Sequence, residues 1–309
     1  MITAQEREMS EPAPPRGVVV GTDGSESARA AVRWAAHEAA MRDAPLTIVH
    51  VVAAGPVMAA TLTWPAGAIP TKLVEAEKEQ GRAVLAEAVK DVDQMMAGRV
   101  RPQITAELFF GAAVPTLVAS SAEAQMLVVG SRGRTEWQRR LLGSVTNGLL
   151  HHAHCPVAVI HGATDPLSAE FAQRPVLVGF DGSAASESAV GLAFDEADLR
   201  GVELMALHVL SDAEVSSPFD MEWSALQSVG DQMLSERLAV WQDRHPEVAV
   251  QLVVEFDRPA RQLVDHAERA QLVVVGSRGR GGFVGMLLGS VSNAVAQESP
   301  VPVIVARPR

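Results

Sequence analysis

Short apolar runs alternate with longer stretches in which apolar positions recur every three or four residues, and the whole alternation occurs twice along the chain. The first run, Val18-Val19-Val20, leads into Gly21-Thr22-Asp23-Gly24-Ser25; its counterpart, Val176-Leu177-Val178, leads into Gly179-Phe180-Asp181-Gly182-Ser183. A short apolar run ending in a turn predicts a buried strand, and an Asp-Gly-Ser turn offers side-chain oxygens that can cap the next helix. Ala28, Val32, Ala35 and Ala39 recur at helical spacing over residues 25–42, and Ser186, Val190, Ala193 and Ala197 repeat the register over residues 183–200. Second strands follow at 46–52 and 204–210, sharing a His-Val pair at His50-Val51 and His208-Val209. The halves then diverge: an apolar loop broken by Pro56, Pro65 and Pro70 stands where the second half has the shorter, acidic residues 211–222.

Each half continues with a long helical stretch (73–96, 224–243), a strand (103–109, 249–256) and a short helix (114–122, 260–270). An apolar run then reaches Gly130 or Gly276, a helix opens at Gly143-Ser144 or Gly289-Ser290, and a proline-led strand closes the half at 156–160 or 302–305. Strands alternating with helices imply a parallel sheet with helices on both faces, because parallel neighbours need crossovers. The expected fold class is therefore α/β, with two tandem open parallel-sheet domains at 16–161 and 175–309. Residues 162–174, with Pro166 and little apolar periodicity, are expected to be a linker. Residues 1–15, polar and proline-bearing, are expected to be a disordered tail without the apolar core of a secretion signal.

Composition narrows the function. With 309 residues, 48% of them hydrophobic, the chain can bury two cores of ordinary size. A formal charge of -11 argues against nucleic acid as a partner, since its phosphates would be repelled by most of the surface. The single cysteine, Cys155, excludes an intrachain disulfide and suits a reducing cytoplasm. Residues 49–70 are largely apolar, but prolines interrupt them and no membrane span is expected.

The chemistry concentrates where the fourth strand ends. Gly130-Ser131-Arg132-Gly133, nine residues and Gly143-Ser144-Val145 recur as Gly276-Ser277-Arg278-Gly279, nine residues and Gly289-Ser290-Val291. Paired glycines allow a sharp turn and leave backbone open to a ligand, and the following helix start favours an anion through its unpaired N–H groups and its dipole. Open α/β sheets bind ligands beyond the carboxyl ends of their strands, which also places Asp23, Asp181, Val51 and Val209 at the site. No lysine stands at the helix start to make a P-loop, and no Gly-x-Gly-x-x-Gly follows a first strand. His151, His152, His154 and Cys155 look metal-binding, but they straddle a helix end and a strand start, so no metal site and no catalytic residue is assigned.

This constellation resembles the universal stress protein family, over about 16–161 and 175–309, and resembles its tandem-domain members. The resemblance implies a Rossmann-like, adenine nucleotide alpha hydrolase-like fold that binds ATP. Carried onto this sequence, the first site would use Asp23, Val51, Val129, Gly130, Gly133, Gly143, Ser144 and Val145. The second would use Asp181, Val209, Val275, Gly276, Gly279, Gly289, Ser290 and Val291, with the valine after the second-strand histidine facing adenine. Whether magnesium accompanies ATP stays open. The expected function is a cytoplasmic, nucleotide-dependent stress-response or growth regulator with slow or no turnover, a homodimer with an unidentified protein partner. Two alternatives stand beside it: an ATP-consuming hydrolase or transferase of related fold, and a nucleotide-free interaction scaffold.

Overall fold

A computed structural model of the chain describes residues 16–53, 71–132, 142–161, 168–210, 223–280 and 287–307. Two compact units divide between residues 163 and 164, so each is described by itself. In the first, β1 (Arg16–Gly21), α1 (Glu26–Met41), β2 (Leu46–Ala53), α2 (Thr71–Met95), β3 (Ile104–Gly111), α3 (Ala113–Ser121), β4 (Ala124–Gly130), α4 (Ser144–His152) and β5 (Val157–Ile160) alternate along the chain. In the second, α5 (Ala169–Ala172) precedes β6 (Val176–Phe180), α6 (Ala184–Arg200), β7 (Leu204–Leu210), α7 (Trp223–Gln242), β8 (Val250–Phe256), α8 (Pro259–Ala267), β9 (Leu272–Gly276), α9 (Ser290–Glu298) and β10 (Val303–Ala306).

Both sheets are parallel and open. The first runs β3-β2-β1-β4-β5 and the second runs β8-β7-β6-β9-β10. Val18 pairs with Leu46 on one side and Met126 on the other; in the second unit Val176 pairs with Leu204 and Leu272. Strand order therefore reverses between β1 and β4, and between β6 and β9. The central strands are buried on both faces, with Val18, Val19, Val20, Leu127 and Val128 at 0% exposure, which is why they read as continuous apolar runs. In the first unit α1 packs on α2 and α3 packs on α4, giving each face of the sheet its pair of helices.

The helices start as their sequences predict. The Ser25 hydroxyl accepts from the Ala28 amide at 3.3 Å and the Ser183 hydroxyl from the Ser186 amide at 3.2 Å, each capping a helix. Ala28, Val32, Ala35 and Ala39 face the sheet, as do Ser186, Val190, Ala193 and Ala197. One difference lies in the expected linker, where residues 169–172 form a turn of helix. Phe171 is buried there, and the Gln271 amide donates to the Ala172 carbonyl at 2.9 Å, so a single aromatic anchor orders a segment with no apolar period. Among the described residues no helix is long and apolar enough to cross a membrane; residues 54–70 of the apolar loop lie outside them.

Candidate functional site

Each crevice is built from three chain segments at the carboxyl ends of the central strands. The first is the Asp-Gly-Ser turn. The Ser25 amide donates to Asp23 Oδ1 at 2.9 Å and the Ser183 amide to Asp181 Oδ1 at 3.0 Å, which holds each carboxylate at the strand end. The second strand is locked to the same place by its histidine. His50 Nδ1 lies 2.7 Å from the Thr22 carbonyl and His208 Nδ1 lies 2.8 Å from the Phe180 carbonyl; a carbonyl can only accept, so Nδ1 carries the proton in both. Val51 and Val209 follow these histidines and extend β2 and β7 beyond the last residues paired with β1 and β6. Each valine stands at a strand end, half-buried.

The third segment is the glycine turn with the helix after it. Val129 and Val275 are buried in the last turn of pleat before Gly130 and Gly276. Gly130 lies against the backbone of Ser27, and Gly276 against the backbone of Ala185, with no room for a side chain. The Gly143 amide then donates to the Ser131 carbonyl at 2.9 Å and the Gly289 amide to the Ser277 carbonyl at 2.7 Å. These bonds bring the helix start back against the strand end. Gly143 and Gly289 are the N-caps of α4 and α9, and neither helix has a side-chain cap. Ser144-Val145 and Ser290-Val291 therefore open their helices with first-turn amides left for water or an anion.

In the second unit Asp181, Gly279 and Gly289 lie close together. Asp181 touches the start of the turn at Gly279, and Gly289 lies beside Arg278 and Gly279. In the first unit the Gly143 amide bonds back to Ser131 beside Gly130, with Ser144 and Val145 opening the helix there, and the Ser27 hydroxyl bonds the Arg132 carbonyl; Gly133 lies outside the described residues. Two positions escape a reading by sequence. The Thr146 hydroxyl donates to the Gly130 carbonyl at 2.8 Å and the Ser292 hydroxyl to the Gly276 carbonyl at 2.5 Å, pinning helix to strand. A hydroxyl residue sixteen positions after the glycine in both halves is the signal that would have found them.

The units differ at their third helix. Gly111, with φ of 147°, precedes α3, whereas Asp257 and Arg258, with φ of 62° and 54°, precede α8. Two successive non-glycine residues in the left-handed region store strain of about 1–3 kcal/mol each. Arg258 and Arg261 also line an open groove of about 690 Å³ together with Ser290 and Val291. The first unit has Ala112 and Pro115 at the matching positions, so its surroundings are less charged.

Electrostatics single out Asp181. Burial alone would raise its pKa, but the hydroxyl and amide of Ser183, the Ser186 hydroxyl and the Arg280 amide together hold it below the ordinary aspartate value. A lowered native pKa means stability that is fully present above the ordinary aspartate range and lost as pH falls through the lowered value. The carboxyl carbon of Asp181 is accordingly expected to titrate below the ordinary aspartate value by NMR, and Asp181→Asn to flatten part of the acid limb of a urea stability profile. An Asp181 midpoint at or above 3.8 would contradict this.

An open parallel sheet bearing a glycine turn, an acidic strand end and an uncapped helix start defines a Rossmann-like α/β domain, present twice. Comparison with known proteins gives the family. The model for the universal stress protein family matches residues 15–161 and 173–307. Universal stress protein Rv2623 of Mycobacterium tuberculosis is 50% identical over 291 residues, covering 94% of this chain and 96% of the relative. Universal stress protein Mb2028c of Mycobacterium bovis is 50% identical over 299 residues, covering 97% and 99%. Among solved structures, a universal stress protein from Archaeoglobus fulgidus aligns with a TM-score of 0.66 at 23% identity, over 95% of this chain and 98% of that one, a likeness of fold. The chain belongs to the universal stress protein family, with two copies of its domain.

Proposed function

We propose that each unit binds ATP at the carboxyl ends of its central strands, beside the glycine turn and the helix start that follows it, and that occupancy, rather than turnover, is what the protein reports. The observation that carries this reading is the helix start at Gly143-Ser144 and Gly289-Ser290, which no side chain caps and which hydrogen bonds hold against the strand end. Fixed amides at the positive end of a helix suit phosphate oxygens, and the Ser144 and Ser290 hydroxyls add donors at the same place. In this reading Val51 and Val209, near the ends of β2 and β7, would meet the base, and the carboxylates of Asp23 and Asp181 would accept from ribose hydroxyls.

The chemistry of Asp181 favours slow turnover. Asp181 is tied to backbone amides and its pKa is lowered, which makes it a poor general base at neutral pH. A nucleotide that stays bound can bias which partner surface the protein presents, giving a stress-response regulator.

The test is to denature freshly purified protein and identify any released nucleotide by mass spectrometry, with its amount per chain. One to two ATP per chain supports the reading; no nucleotide, together with no binding of added ATP, sinks it. Repeating the measurement after chelator treatment reads whether magnesium travels with the nucleotide.

A further inference from the structure

In the second unit the glycine turn is held from across the crevice as well as by the strand it leaves. Asp181 uses its two oxygens for two different segments: Oδ1 accepts the Ser183 amide of its own turn at 3.0 Å, and Oδ2 accepts the Arg280 amide at 3.0 Å. The Ser183 hydroxyl donates to the Arg278 carbonyl at 3.3 Å, a second link between the same two segments. The fit is close on both sides. A Cβ on Gly279 would collide with Asp181 Oδ2, and one on Gly182, whose φ is 75°, would collide with the Arg280 guanidinium. Residues 278–280 thus lie across the Asp181-Gly182-Ser183 turn.

We propose that Asp181 is the tether of this turn: a positioning residue that fixes residues 278–280 beside the helix start before any ligand arrives. The entropy of ordering the turn is then lost on folding and not on binding, which preorganises the backbone amides. Charge makes the tether strong, because an amide bonded to an ionised carboxylate is worth about twice a neutral pair. Its effect on affinity rests on the nucleotide reading above; the tether itself does not.

Limited trypsin digestion of the full chain, without nucleotide, tests it through cleavage after Arg278 and Arg280, resolved by mass spectrometry. Asp181→Asn keeps the shape but turns one acceptor into an NH2 group, and Gly279→Ala keeps the aspartate but pushes the turn away. Both are expected to speed cleavage at these two sites about tenfold, since local proteolysis follows the population of the open form and the lost bond is charge-assisted. Cleavage elsewhere in the second unit and the thermal midpoint should change far less, which separates a local tether from general loosening. If Asp181→Asn fails to fold by circular dichroism, Gly279→Ala decides alone. Unchanged cleavage in the folded variants overturns the tether, as does equal acceleration at every site. ATP titration of the same proteins keeps the two ideas apart. Faster cleavage in a protein whose wild type binds no ATP supports the tether and removes the nucleotide reading; lost ATP binding with unchanged cleavage makes Asp181 a ligand contact only.

Discussion

Gly130→Ala and Gly276→Ala are each expected to cost about 2–3 kcal/mol of stability, the price of forcing an extra carbon into filled space. A Cβ on Gly130 would lie 2.7 Å from the carbonyl carbon of Ser27 and 2.8 Å from its oxygen. On Gly276 it would lie 2.6 Å from the carbonyl carbon of Ala185, 2.7 Å from its oxygen and 2.9 Å from the Ser186 nitrogen. Apart from the Ser27 hydroxyl, 2.8 Å from a Cβ on Gly130, these neighbours are backbone at the start of α1 and α6 and cannot swing aside. Either the strand end or the helix must move, and with it the Asp-Gly-Ser turn beside the proposed nucleotide site. The substitution should therefore remove ATP binding from its own unit while leaving the other. Urea denaturation and ATP titration of each variant read both effects; a stability loss under about 0.5 kcal/mol would show that the gap between helix and strand is not fixed as described.

Arg200→Ala is expected to cost more, about 3–5 kcal/mol, because it takes the ion-pair partner away from a buried carboxylate. Glu196 is 0% exposed on α6 and forms an ion pair with Arg200, whose side chain is 6% exposed. The first unit repeats the pair: the Arg42 Nε lies 2.6 Å from Oε1 of Glu38, with exposures of 16% and 0%. Arg42 is the more solvated, so Arg42→Ala should cost less than Arg200→Ala. Removing both charges of a pair for apolar residues of similar size should restore much of the loss, since burying two ions carries its own desolvation penalty. Urea midpoints for Arg200→Ala, Glu196→Leu and the double variant give the comparison. Equal stability of Arg200→Ala and wild type would mean the pair is screened by solvent.

Most of the fold was legible because a strand buried on both faces and a helix packed by one stripe each leave a period in the sequence. The runs 18–20 and 176–178, and the stripe through Ala28, Val32, Ala35 and Ala39, could hardly fold otherwise. Buried polar partners leave no period. Glu38 and Glu196 look like ordinary charged helix positions, and only the packing shows that they point inward. The short helix at 169–172 was hidden for a related reason, since one aromatic residue supplies its anchor. At the site the repeated glycines and Gly-Ser pairs marked the turn and the helix start. What they could not show is which groups hold the turn: the Thr146 and Ser292 hydroxyls, and the reach of Asp181 to the Arg280 amide 99 residues away. Contacts of that length are set by the crossover of the sheet, not by local spacing.

The central claim, that the uncapped helix starts beside the glycine turns hold a triphosphate, is tested most directly by titrating ATP into the intact wild-type chain by calorimetry while following its thermal midpoint. The account predicts saturable binding and a midpoint that climbs with ATP concentration, as mass action requires of a ligand for the folded state. No heat of binding and a midpoint indifferent to ATP would contradict it.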